Sequence, residues 1–114
     1  DDTARSLAAH KRLANEPGKA TICDALMAAM PGEMTFAIND RLLAGGFAVS
    51  DPEVQAAMAY AFRTLKLVVE PGGAVALAAV LAGKIDLGGR TAAIICSGGN
   101  VDPATFCAAI ADSQ

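Results

Sequence analysis

Thr91-Ala92-Ala93-Ile94-Ile95-Cys96 runs into Ser97-Gly98-Gly99-Asn100 and then into Val101-Asp102-Pro103. The first six residues are apolar without alternation, which suits a central parallel strand covered on both faces. Two glycines then let the backbone turn sharply or approach a ligand closely. Asp102 suits a helix N-cap and Pro103 a first helical position, so a last helix is expected over about 103–111. Phe106, Ala109 and Ile110 would form its inward stripe. Strand, glycine loop and capped helix together indicate an α/β fold, in which ligands sit beyond the carboxyl ends of strands. Taken alone, the loop reads equally as a cofactor or anion site at a helix N-terminus and as a tight turn with glycines used for geometry.

Working back along the chain, Leu67-Val68-Val69 leads into Glu70-Pro71-Gly72-Gly73, and Ala74 to Ala82 is apolar on all sides, with Gly83 as its cap. A helix of that kind is buried, and a chain of 114 residues has trouble covering it all round, so a partner surface is expected. Ser50-Asp51-Pro52-Glu53 is a capping box, and Val54, Ala57, Met58, Ala61, Phe62 and Leu65 follow at helical spacing. A helix over 51–66 with a core-facing stripe follows. Residues 1–14 read as a helix, with Asp1 and Asp2 at its positive end and Lys11 and Arg12 at its negative end. Asn15-Glu16-Pro17-Gly18 breaks it; Thr21–Met30 is ambiguous; Met34–Leu43 leans to a short helix; Phe47-Ala48-Val49 could be a short strand.

Composition narrows the function. Net charge is −3 and aromatic residues are 4% with no Trp, which argues against a nucleic-acid surface or a base-stacking platform. The longest apolar run, Ala74–Ala82, is about half the ~20 residues a membrane span needs. The charged start, Asp1-Asp2-Thr3-Ala4-Arg5, does not read as a signal peptide. Three cysteines without C-x-x-C spacing and a single His10 build neither a disulfide framework nor a zinc site, so a reducing cytoplasm is expected. Cys96, beside Ser97, reads as a buried structural thiol. Asp24, Glu33 and Asp40 have no visible partner and read as surface charge. The start without Met, already helical in pattern, suggests a piece of a longer protein.

The stretches VVEPGGAVALAAVLAGKI (68–85) and IICSGGNVDP (94–103) resemble the C-terminal third of threonine dehydratases and serine racemases, of the fold-type II, tryptophan synthase β-like, pyridoxal-phosphate enzymes. DDTARSLAA, TICDAL, PGEMTFAIN and VSDPEV fit the same family in the same order, so the resemblance covers essentially the whole chain. It implies that residues 1–114 are one segment, the C-terminal part of the large cofactor-binding domain, mostly helices with a few parallel strands. It implies pyridoxal phosphate as cofactor, with the Ser97 hydroxyl on the ring nitrogen, Gly98 letting the chain pass close by, and Glu70 near the cofactor or simply stabilised at a helix N-terminus. The loop would then meet the ring and not a phosphate. Cys23-Asp24-Ala25 stands where relatives commonly read A-D-G, and the missing Gly puts one backbone contact in doubt. Asp2 would be a ligand for a divalent cation such as Mg, or, on its residues alone, part of a solvated helix start.

The same resemblance places the Schiff-base lysine and the phosphate-binding tetraglycine loop upstream of this stretch. Lys11, Lys19, Lys66 and Lys84 lack the S-x-K context. No catalytic residue is therefore assigned here, and the chain alone is expected to be inactive. The parent reaction would be β-elimination from threonine, serine or a hydroxyaspartate to an oxoacid and ammonia, or racemisation of serine. The expected partner is a complementary N-terminal part, or a second copy in a non-catalytic, self-associating domain. A nucleotide- or anion-binding α/β module is the remaining alternative.

Overall fold

The computed structural model describes residues 1–111. Five α-helices follow one another: α1 (Asp2–Ala9), α2 (Glu33–Leu42), α3 (Asp51–Tyr60), α4 (Pro71–Leu81) and α5 (Pro103–Ala111). A 3₁₀ turn covers Asp24–Leu26, and a π-helical turn, Ala61–Leu65, prolongs α3. The chain forms two compact units. One comprises Asp1–Ala20 and Met27–Ala48, the other Thr21–Leu26 and everything from Val49 onward.

In the first unit, α1 is shorter than the expected helix over 1–14. His10 takes a left-handed φ of 48° and closes it, the amides of His10 and Lys11 turning back to Leu7 and Ser6. The following turn wraps around Arg5, whose guanidinium donates to the Ala14 carbonyl at 3.2 Å and to Asn15 at 3.0 Å. Buried Ser6 accepts from the Leu13 amide through its hydroxyl. Lys11 and Arg12 thus lie beyond the helix. Arg12 instead donates to the Pro31 carbonyl at 2.8 Å and faces Glu33 at 3.8 Å. Asp40 meets His10 Nδ1 at 2.9 Å. The carboxylates of Glu33 and Asp40, expected to be unpartnered, are both paired. α2 buries Phe36 but exposes Met34, Ile38 and Leu42, which share one stripe.

The second unit is built on α3 packed against α4, with α5 against α3. Val54, Ala57, Met58 and Ala61 interdigitate with Ala74, Leu77 and Ala78, and Ala109, Val69 and Cys23 complete the core. Small residues at the contact let the helix axes approach closely, so few large side chains suffice. The capping box starts α3 as expected: the Ser50 amide donates to Glu53 at 2.7 Å. At its far end the π turn sets Phe62 edge-on to Phe106 of α5 at 5.3 Å, and Arg63 donates to the Ile110 carbonyl. α5 spans the expected residues, and its N-cap Asp102 accepts from the Thr105 amide at 2.9 Å.

Two further expectations fail. No strand is formed among the described residues, neither at Phe47–Val49 nor at Thr91–Cys96. A strand exists only through a ladder with a neighbour, and no other described segment pairs with Thr91–Cys96. Ile95 is accordingly 84% exposed. The fold shown is thus helical, without the expected parallel strands. Nor is the apolar helix buried all round. It begins at Pro71, not Ala74, hides Gly73, Ala74, Leu77 and Ala78, and leaves Ala76 and Leu81 exposed. Gly83, with φ 66°, caps it as expected.

Candidate functional site

Three residues singled out by sequence, Glu70, Ser97 and Gly98, meet at the first turn of α4. Glu70 is the N-cap of that helix and Pro71 its first residue. An N-cap amide is not used by its own helix; that of Glu70 donates to the Gly98 carbonyl at 2.6 Å. Gly98 has φ 74°, a left-handed conformation that glycine adopts without cost. The Glu70 side chain lies across its α-carbon, where any Cβ would collide with it. One turn on, Gly73 is pressed against the backbone of Ser97, and a Cβ there would strike the Ser97 carbonyl. The loop is therefore seated on α4 through two glycine contacts and one backbone hydrogen bond. Ser97 itself is exposed, its hydroxyl open to a ligand.

Beside this junction lies a hollow of about 120 Å³ lined by Ile22, Asp24, Glu70, Pro71, Asn100, Val101, Asp102 and Thr105. Ser97 is not part of its wall. Three carboxylates and no lysine or arginine face it, so an anion would be repelled there. Asp102 already takes the Thr105 amide and hydroxyl at the N-terminus of α5, which holds its carboxyl below the usual range. This arrangement speaks against a phosphate at the Ser97–Asn100 loop.

The Ile22–Asp24 side of the hollow comes from far away in sequence. Asp51, in the first turn of α3, accepts from the Thr21 hydroxyl at 2.5 Å and from the Ile22 amide at 3.2 Å. Thr21 Oγ1 accepts in turn from the Cys23 amide at 3.2 Å. Ala25 and Leu26 then rest against Gly72 of α4. Asp24, surface charge on its residues alone but part of the A-D-G position by resemblance, thereby lines the hollow. Sequence reasoning missed Gly73 and Asp51; Asn100 stood in the loop it singled out, and the Cys23–Ala25 stretch was marked by resemblance alone. Paired glycines in the first turn of a helix were the available signal for Gly73; nothing local marked Asp51.

Cys96 is partly buried and packs against the core, as a structural thiol does; burial pushes the Cys23 thiol up. Asp2 stands in the first turn of α1, and no group of three or more potential ligands that could hold a metal occurs among the described residues. Among the described residues Asp2 thus has no companion ligands that would complete a cation site.

A pyridoxal ring fits the Ser97–Gly98 edge in part. A hydroxyl is available, and the backbone beside it carries no Cβ. The hollow, however, is smaller than the roughly 300 Å³ at which small-molecule sites begin. The two lysines of this unit are engaged elsewhere, Lys84 with Glu53 at 3.0 Å and Lys66 with the Arg63 carbonyl at 2.6 Å. The second unit thus presents one exposed hydroxyl beside a glycine backbone edge, without an enclosed pocket for a ring.

Comparison with known proteins identifies the family. Residues 1–98, which include Glu70, Ser97 and Gly98, match the family model described as pyridoxal-phosphate dependent enzyme. The chain is 38% identical to an L-threonine ammonia-lyase of Thermotoga maritima, over 75% of this chain and 21% of that protein. It is 37% identical to a serine racemase of Dictyostelium discoideum, over 90% of this chain and 32% of that one. The structure of maize serine racemase superposes with a TM-score of 0.79 at 34% identity, covering all of this chain and 37% of the other. The chain thus spans about a third or less of the length of these relatives. No helix is long and apolar enough to cross a membrane among the described residues. The sequence match over most of the chain and the superposition establish that it belongs to the pyridoxal-phosphate dependent enzymes, related to the threonine dehydratases and serine racemases.

Proposed function

We propose that this chain supplies the ring-nitrogen side of a pyridoxal-phosphate site in an ammonia-lyase acting on a 3-hydroxy amino acid: threonine, serine or 3-hydroxyaspartate. The observation that carries this reading is the seating of Ser97-Gly98 on the Glu70–Gly73 turn, because it presents one exposed hydroxyl from a fixed backbone. Relatives named L-threonine ammonia-lyase, L-threo-3-hydroxyaspartate ammonia-lyase and serine racemase support the substrate class.

Bound here, the cofactor would supply an electron sink for the substrate's α-carbon. Ser97 would hydrogen-bond the ring nitrogen through a neutral hydroxyl, leaving that nitrogen largely unprotonated and the sink moderate, which suits elimination. Gly98 would let the backbone pass close to the ring edge, and Glu70 would hold Gly98 in place. Proton removal needs a lysine that neither Lys66 nor Lys84 provides, so the active partner is a complementary polypeptide carrying that lysine and the phosphate-binding loop. The chain by itself is inactive in this reading. A metal role for Asp2 would likewise require ligands from that polypeptide. Three unpaired thiols favour the cytoplasm.

A second reading, a non-catalytic domain that associates with its own copy, is favoured by the exposed stripe Met34, Ile38 and Leu42 and by Ile95. Native mass spectrometry separates the two. A complex with a larger complementary fragment and pyridoxal phosphate is expected. A cofactor-free homo-oligomer that persists when that fragment is supplied would sink the enzymatic reading and favour the second.

A further inference from the structure

Asp51 stands inside a capping box but takes no part in it. Ser50 and Glu53 already serve the start of α3. The carboxylate of Asp51 is turned instead to Thr21 and Ile22, thirty residues back, and uses both oxygens there. The residues it holds interrupt the first unit of the chain: Asp1–Ala20 and Met27–Ala48 belong together, while Thr21–Leu26 joins the second unit. Two more contacts fix the excursion. Cys23 is buried in the core of the second unit, and its carbonyl accepts from the Leu26 amide at 2.9 Å. Ala25 and Leu26 abut Gly72, one residue from the Gly73 that seats Ser97. The consequence is a wall, Ile22 and Asp24, standing opposite Glu70 and Asn100.

From this geometry we infer that Asp51 is a positioning residue for the candidate cofactor site: by gripping Thr21 and Ile22 it holds the Thr21–Leu26 loop against the first turn of α4, and so fixes the hollow beside Ser97 and Glu70. The inference rests on the proposed cofactor reading and adds to it a residue that touches neither cofactor nor substrate. The grip depends on acceptor oxygens more than on charge, because both donors are neutral groups, a hydroxyl and a backbone amide. Asn keeps one acceptor, and its amide can donate to a hydroxyl that reverses its role. Ala keeps neither.

The test uses the full chain, labelled with ¹⁵N, and pyridoxine as probe. That compound has the ring without the phosphate or the aldehyde, so it brings no anion to the hollow's carboxylates and cannot form imines with surface lysines. Its affinity is read from the amide shifts of Glu70, Gly98 and Asn100. Asp51→Ala is expected to weaken binding about tenfold and to shift the amides of Ile22–Leu26. Asp51→Asn is expected to stay within about threefold of the parent. Ser50→Ala, which disturbs the start of α3 without touching the loop, is expected to stay within about twofold. Thr21→Val removes the hydroxyl from the other side of the grip and stands in if Asp51→Ala does not fold; it is expected to weaken binding about fivefold. Equal binding by the parent and by the folded Ala or Val variant overturns the role of Asp51 and leaves the cofactor reading standing. Equal losses in Asp51→Ala and Ser50→Ala also overturn it, since the effect would then be on helix stability. A parent chain whose Glu70, Gly98 and Asn100 amides ignore the probe overturns the cofactor reading, and the inference with it.

Discussion

The Glu70 amide donates to the Gly98 carbonyl at 2.6 Å, while the Glu70 side chain lies over the Gly98 α-carbon. One residue thus holds the loop from both its backbone and its side chain. The geometry leaves no room for a larger residue at position 98.

Gly98→Ala should therefore cost more than the ~1–2 kcal/mol of a left-handed alanine, because its Cβ also displaces the Glu70 side chain. A lowered thermal midpoint, with amide shifts at Glu70 and Ser97, is expected. An unchanged midpoint would show that the loop is not held by Glu70.

Gly72 and Gly73 are adjacent, yet alanine should have opposite effects at the two positions. At Gly72 a Cβ meets Leu26 and Ala25 side chains at 3.4 and 3.5 Å, near ordinary contact, and helix propensity gains about 0.5–1 kcal/mol. At Gly73 it strikes the Ser97 backbone. Chemical denaturation of both variants should show Gly72→Ala at or above the parent's stability and Gly73→Ala clearly below it.

Met58 is fully buried between α3 and α4. Met58→Ala should destabilise the second unit by about 2–5 kcal/mol, the usual cost of such a cavity. A loss under 1 kcal/mol in urea unfolding would mean that the helix pair is not packed as described.

Glu53 accepts from the Ser50 amide and pairs with Lys84, which holds its carboxyl down at about 2 against an ordinary 4.5. A carboxyl depressed in the folded state stabilises fully above its unfolded value and loses that contribution as pH falls toward the folded one. The thermal midpoint of Glu53→Gln should therefore change less than that of the parent between about pH 4.5 and 2. Parallel pH profiles would contradict the pairing.

The three thiols should react in order of exposure. Cys107 is exposed, Cys96 half-buried and Cys23 buried, with its thiol kept protonated by burial. A thiol reagent followed by peptide mass mapping should find Cys107 modified first and Cys23 last under native conditions.

What could be read in the sequence was local chemistry. Ser50 with Glu53, and Asp102 with Pro103, carry their helix starts within four residues, and α3 and α5 begin where expected. The meeting of Glu70 with Ser97-Gly98 was visible only through resemblance, since no local rule brings residues that far apart into contact. The strand at Thr91–Cys96 was misjudged because apolar composition states a preference, while the ladder depends on a neighbour that composition does not specify. The length of α1 was misjudged because Arg5 draws Ala14 and Asn15 back around itself, a tertiary contact that overrides helix propensity. Asp51 was hidden by its neighbours, since a complete capping box on either side of it left no reason to look further.

The uncovered run Thr91–Cys96 has a consequence for how the chain behaves in quantity. It is apolar, carries no charge, contains no proline, and leaves Ile95 almost wholly in water. Such six-residue segments stack on copies of themselves into cross-β layers. Concentrated solutions should accordingly deposit fibrils with a lag that shortens as protein is added, and a single lysine in place of Ile95 should lengthen it. In a cell the same segment would leave the chain open to capture by its own kind.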